Sequence, residues 1–119
     1  MKFTPNEWEI ISHRLGVPCA IAEALVGCFE EDPEEYERVY EKDEIQNRAW
    51  ELEANKGKPL DMNSELDRLI LEDCCGGSTF FSDSDDALAR GEITQGKLNA
   101  YKRAANSLSK KVGVQVTMW

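Results

Sequence analysis

Residues Glu30–Glu53 read EEDPEEYERVYEKDEIQNRAWELE. Eleven acidic and three basic side chains would suit a solvated tail. Tyr36, Val39, Tyr40, Ile45, Ala49, Trp50 and Leu52 are interleaved with them, and a disordered acidic tail lacks such residues. The stretch therefore reads as a helix with one apolar and one heavily negative side. Asp32 is suited to the N-cap, Pro33 to the first position, and Glu34 and Glu35 to the first turn. Tyr36, Val39 and Tyr40 make a first apolar stripe, Glu41–Glu44 interrupts it, and Ile45, Ala49 and Leu52 resume it with Trp50 on an adjacent face. That shift predicts a bend near Lys42–Asp43. On this reading Glu34, Glu37, Glu41, Glu44 and Glu51 lie on the solvent side.

The flanks are also helical by their punctuation. Thr4, Pro5 and Glu7 form a cap, a first-position proline and a capping box for a helix running to Leu15, with Trp8, Ile11 and Leu15 on one face and Ile10 beside them. Gly16 and Pro18 end it, and a second helix follows from Pro18 to about Phe29 through Ile21, Ala24, Leu25 and Cys28. Two helices joined by Gly16–Val17 alone must meet at a steep angle. The pair is not a DNA-reading helix-turn-helix, because PCAIAEALVGCFEE offers no Arg, Lys, Asn or Gln to a base edge. Beyond the Lys58–Met62 linker, Asn63 or Ser64 caps a helix with Leu66, Leu69, Ile70 and Cys74 inward, closed by Gly76–Gly77. A short helix from Ser78 or Thr79 reaches Gly91, and Thr94 caps a last helix to Val112 with Leu98, Tyr101, Ala105 and Leu108 on its face. The closing VQVTMW alternates with a period of two and reads as a strand needing either Met1–Thr4 or a second chain as partner. The expected fold is mainly α: one compact domain over residues 1–119, of five or six helices, with at most a minimal two-stranded β element at the termini.

The 119 residues carry a formal charge of −9, unevenly placed: −7 over residues 30–57 and +5 over residues 94–119. No apolar run approaches the roughly 18 residues of a membrane span, and MKFTPNEWEI lacks the basic-then-apolar pattern of a signal peptide, which points to the cytoplasm. Cys19, Cys28, Cys74 and Cys75 lack zinc-site spacing, and in that compartment they are expected as reduced thiols. SDSDDALARGE resembles a calcium loop, but counting from Asp83 the fifth and sixth positions hold Ala87 and Leu88, where the loop needs an oxygen ligand and a glycine. CCGGST is no phosphate loop, for want of a lysine after its glycines. His13, near the C-terminal end of the first helix, reads as structural or exposed and not as catalytic. No cofactor, metal or catalytic residue is expected. The basic last helix, with Lys97, Lys102, Arg103, Lys110 and Lys111, reads as a solvated face or an internal ion-pair partner packed beside the acidic middle, and nucleic-acid binding is not expected.

The composition and the stretch Leu71–Val112, with CCGGSTFFSDSDDALARGEITQGKLNAYKRAANSLSKKVG, resemble small acidic accessory proteins of phages and prophages. That resemblance implies an accessory role in the cytoplasm of an infected host. Some proteins of that kind inhibit host defence or nucleic-acid enzymes by presenting carboxylates where phosphates would sit. The leading expectation is a protein-binding factor, not an enzyme, whose acidic surface of Glu34, Glu37, Glu41, Glu44, Glu51, Asp83, Asp85 and Asp86 meets a basic partner. The alternatives are a small enzyme or redox protein built on Cys74–Cys75, and a homo-oligomer assembled through Val114, Val116 and Trp119.

Overall fold

The computed structural model describes residues 1–76 and 84–116, with the backbone alone at residues 84 and 85. Six α-helices follow in order: α1 Pro5–Leu15, α2 Pro18–Glu31, α3 Lys42–Ala54, α4 Glu65–Gly76, α5 Ser84–Ala89 and α6 Gln95–Val112. No strand occurs among the described residues, so the mainly-α expectation holds.

Helix α1 is central, packing against α2, α3, α4 and α6. Its start is the predicted capping box. The Glu7 amide donates to the Thr4 hydroxyl, and the Thr4 amide donates to Glu7 Oε1 at 2.9 Å. All four of Trp8, Ile10, Ile11 and Leu15 are buried, because a helix covered by several neighbours has no single inward face. Around it the core gathers Ile21, Leu25 and Phe29 of α2, Ile45, Ala49 and Leu52 of α3, Ile70 and Leu71 of α4, and Leu98, Ala105 and Leu108 of α6. Each large aliphatic side chain so buried contributes roughly 1.5–3 kcal/mol. The α1–α2 turn bends the chain by 75°, as the two-residue connection requires.

Three short ion pairs join helices that the hydrophobic core has already brought together, beside a longer, exposed one at 3.6 Å between Lys42 of α3 and Glu23 of α2. Arg48 of α3 grips Asp67 of α4 with both arms, at 2.6 and 2.8 Å, and Arg14 of α1 bonds Asp73 of α4 at 2.7 Å. Lys111 near the end of α6 reaches Glu7 of α1 at 2.7 Å. Glu7 and Asp67 are each only 1% exposed. The basic helix is thus an internal ion-pair partner, but its packing partners are α1 and α4 and not the acidic middle. Tyr101 adds a second α6–α1 tie by donating its hydroxyl to Glu9.

The acidic stretch departs from the expected helix. A single 3-10 turn, Pro33–Glu35, is followed by non-helical chain, bent at Glu37 and Arg38, to Glu41, and α3 begins only at Lys42. A continuous helix would stack Glu34, Glu37 and Glu41 at three- and four-residue spacing, where like charges repel. The non-helical, bent chain instead lets Tyr36 and Tyr40 both reach Phe29, with ring centroids 4.7 and 6.2 Å away. Aromatic contact therefore outweighs local helix signals. The predicted solvent-facing row is a strap leading from α2 into α3, with Val39 left exposed where an apolar helix face was expected.

The C-terminal strand is likewise absent at residues 114–116. Gly113 adopts φ 85°, a left-handed cap that turns the chain back, and the Val116 amide donates to the Ser109 hydroxyl at 3.0 Å. Val116 is fully buried and Val114 partly so, which removes the expected exposed edge at those two positions. Trp119, with residues 117 and 118, lies outside the described residues. Met1–Thr4 pairs elsewhere: the Met1 ammonium donates to the Leu60 carbonyl, and the Leu60 amide donates to that of Met1, both at 2.8 Å.

Burial pushes the Glu7 carboxyl up, but the Lys111 ammonium and the Thr4 amide and hydroxyl outweigh it, so Glu7 titrates below its ordinary value. The stabilisation is therefore complete above the unfolded carboxylate value of about 4.3 and is lost as pH falls through the lower folded one. Lys111→Met leaves Glu7 buried without its cation and should cost about 2–3 kcal/mol in urea unfolding at neutral pH. With the ammonium gone, burial favours the protonated acid, so the variant's deficit relative to the wild type should shrink on acidification. A deficit that does not change with pH would remove Glu7–Lys111 from this role.

Candidate functional site: an acidic strap and the helix that follows

The strap is anchored at its aromatic residues and free at its acids. Tyr36 packs edge-on to Phe29, and Tyr40 lies beside Phe29 with the Arg38 guanidinium 4.9 Å from its ring centroid. The Glu37 amide donates to Glu65 of α4 at 3.1 Å. Burial, followed by the neighbouring Cys28 thiol, raises the Tyr36 hydroxyl above its ordinary value; burial and then Glu65 do the same for Tyr40. Both rings therefore stay neutral through the physiological range and hold the strap by packing and hydrogen bonds.

The structure brings four of the predicted acids into one neighbourhood. Glu34 lies in the 3-10 turn, Glu37 at a bend of the linking chain, Glu41 at its end and Glu44 in the first turn of α3, all exposed. Glu44 is bonded by Arg38 at 3.0 Å, whereas Glu34, Glu37 and Glu41 carry no ion pair among the described residues. Glu51 sits two helical turns further on, about 10 Å along α3, and is bonded by Arg48 at 2.8 Å. It shares that arginine with Asp67, so it is tied to the scaffold more than to the strap. Asp86 is exposed on a separate element, α5. Asp83 and the side chain of Asp85 lie outside the described residues.

Two exposed apolar side chains accompany the acids. Val39 is 55% exposed at the strap's centre and lines a 270 Å³ groove with Val26, Phe29, Tyr40 and Lys42. Trp50 is 70% exposed on the outer side of α3. Sequence reasoning did not mark Trp50 as functional. The signal was present in its phase, since Trp50 falls out of step with Ile45, Ala49 and Leu52. A large exposed aromatic side chain beside charged groups is the composition of an interface hot spot more than of ordinary solvated surface.

The thiols fall into two pairs. Cys19 and Cys28 are exposed on α2, and Cys74 and Cys75 are buried near the end of α4, all four free. Burial drives the Cys74 thiol well above its ordinary value, with Cys75 and Asp73 adding to the effect, and pushes Cys75 up to about 12. Both are protonated at neutral pH, and a protonated buried thiol is a poor nucleophile. Among the described residues no three of His, Cys, Asp and Glu gather in a metal-binding arrangement, and no single helix is long and apolar enough to cross a membrane.

No protein-family model, curated protein or solved structure matches the chain.

Accessibility and thiol acidity together set an expected outcome. In the native protein a thiol-titrating disulfide reagent should react with Cys19 and Cys28 only, and with Cys74 and Cys75 only after denaturant is added. Prompt reaction of all four native thiols would contradict the packing of α4 described above.

Proposed function

We infer that this protein is a non-enzymatic binding factor whose acidic strap engages a basic surface on a partner protein. The observation that carries the reading is the strap itself. Glu34, Glu37 and Glu41 are exposed without an ion pair among the described residues, on a backbone pinned through Tyr36 and Tyr40 to Phe29. Solubility alone asks only for scattered charge and does not need a rigid strap. Fixed carboxylates beside the exposed Val39 supply steering and an apolar contact, and the exposed Trp50 further along α3 offers a second apolar anchor. The resemblance to phage accessory proteins makes the partner class a host defence or nucleic-acid-binding machine in the host cytoplasm, with the carboxylates occupying ground that phosphates would otherwise take. The burial of Val116 and of Cys74 and Cys75 favours neither self-association through the C-terminal segment nor thiol chemistry.

Capture from a host lysate, followed by binding of the purified partner, tests this. Association should slow steeply as salt rises, because screening shortens to about 8 Å at physiological ionic strength. The combined change of Glu34, Glu37, Glu41 and Glu44 to Gln should weaken binding by roughly tenfold or more, mostly through the association rate, with unfolding free energy unchanged within about 0.5 kcal/mol. Trp50→Ser should also leave stability within about 0.5 kcal/mol and weaken binding through faster dissociation. Equal affinity of the wild type and the four-Gln variant at low and high salt would assign the strap to solubility.

A further inference from the structure

Helix α6 carries most of its cations on the side turned away from the fold. It packs against α1 and α4, with Leu98, Ala105 and Leu108 buried in the core. On its opposite side Gln95, Asn99, Lys102, Arg103, Asn106 and Lys110 are all exposed. At 3.6 residues per turn these six fall within about 100° of arc, and at 1.5 Å per residue the row runs for about 22 Å. The Gln95 amide donates to Asn99 Oδ1 at 3.0 Å, which leaves the Asn99 amide nitrogen as a donor. Lys102, Arg103 and Lys110 carry no ion pair among the described residues. Neutralisation by the acidic middle would explain a basic helix, but the fold sets α6 on α1 and α4 instead. The sequence from Ile93 to Trp119 contains no carboxylate side chain to take that role.

The composition of the row decides what it can recognise. Lysine and arginine meet phosphate oxygens, and asparagine and glutamine pair with phosphates or with the edge of a base. Helix α2 lacks all four residue types and so cannot read a base edge, whereas the row on α6 consists of nothing else. An acidic polypeptide would engage the three cations but would set carboxylates against the oxygen side of the amides. A base edge offers donors and acceptors together, which is what an amide side chain matches. The row also stands on a convex surface. A helix about 10–12 Å across enters the major groove of DNA, about 12 Å wide, whereas that of duplex RNA is too narrow for side chains to read. Overall charge opposes contact with phosphates, and the fold reduces that opposition. Repulsion from distant acids is screened over about 8 Å at physiological ionic strength. Three acids that touch or adjoin α6 are already engaged: Glu7 by Lys111, Glu9 by the Tyr101 hydroxyl and Glu92 by Arg90.

We propose that the outer face of α6 binds duplex DNA, with Lys102, Arg103 and Lys110 on phosphates and Asn99 and Asn106 toward base edges in the major groove. The contact uses none of the strap, so the two readings stand or fall separately.

The test is fluorescence anisotropy of a labelled, mixed-sequence DNA duplex titrated with the full chain. At about 50 mM salt the dissociation constant should be on the order of 100 μM, the weak end of sequence-independent binding. On logarithmic axes the association constant should fall against salt with a slope of about −2.7, which is −0.9 for each of three phosphate contacts. The combined change Lys102→Gln, Arg103→Gln and Lys110→Gln removes no ion pair of the fold, so circular dichroism should be unchanged while binding weakens by about tenfold or more. The variant with Gln at Glu34, Glu37, Glu41 and Glu44 should bind DNA at least as tightly as the wild type. Duplex RNA of the same sequence should bind about tenfold more weakly than DNA. No anisotropy change at about 1 mM protein would overturn the proposal. So would unaltered affinity in the triple-Gln variant. RNA binding as tight as DNA binding would also overturn it, since charge alone would then explain the contact. Polyglutamate that competes as well as DNA, and does so through the same three cations, would overturn it in favour of an acidic polypeptide partner.

Discussion

A carboxylate that is almost wholly removed from water must be held by donors, and Glu7 is held by two kinds. Its Oε1 atom accepts from the Thr4 amide and from the Lys111 ammonium, so one oxygen both starts the first helix and fastens the last one to it. Separating them would leave a buried charge uncompensated, a cost that can reach several kcal/mol. The helix arrangement leans on this, because α1 packs against α2, α3, α4 and α6, a position it shares with α4, which packs against α1, α2, α3 and α6. Asp67 repeats the device between α3 and α4 with a two-armed arginine, and Asp73 repeats it between α1 and α4. In each case packing supplies the proximity and the ion pair supplies the register.

That division of labour has a consequence for the charge map. Residues 94–119 carry +5, and two of those five charges are committed to α1: Lys111 directly, and Lys97 through the Tyr101 ring it covers at 4.8 Å while that tyrosine bonds Glu9. The acidic middle therefore does not spend its charge on α6. Its cations are its own: Arg38 for Glu44, Arg48 for Glu51, Lys56 for Glu53. What is left over, at Glu34, Glu37 and Glu41, is carried on chain that aromatic packing has pinned. Charge left unpaired on an ordered backbone is an arrangement that can recognise a partner at low entropic cost, since the ordering has already been done in folding.

Trp50 and Val39 belong to the same economy of surfaces. Folding had apolar positions enough in Ile45, Ala49 and Leu52 to seat α3 on its neighbours, and Trp50 lies outside that stripe. A tryptophan exposed in this way gains nothing in the isolated chain. Beside acids it offers the flat, desolvatable face that a basic side chain or an apolar anchor of a partner can cover.

The sequence by itself determined the helices whose signals are local. Thr4 with Glu7, Pro5 and Pro18, and Thr94 with Gly113 mark boundaries that the structure reproduces, because a cap is satisfied by residues three or four positions away and needs no tertiary partner. It also determined the mainly helical class and the burial of Cys74. Tertiary structure alone decided the path of residues 33–41 and of residues 114–116. In both places local propensity was outweighed by packing beyond helical spacing: Phe29 of the preceding helix for Tyr36 and Tyr40, and the core closing over Val116. It alone decided that Lys111 would meet Glu7, 104 residues away. No periodicity carries such information, because spacing along a chain fixes which side chains share a helix face but not which helix that face will meet.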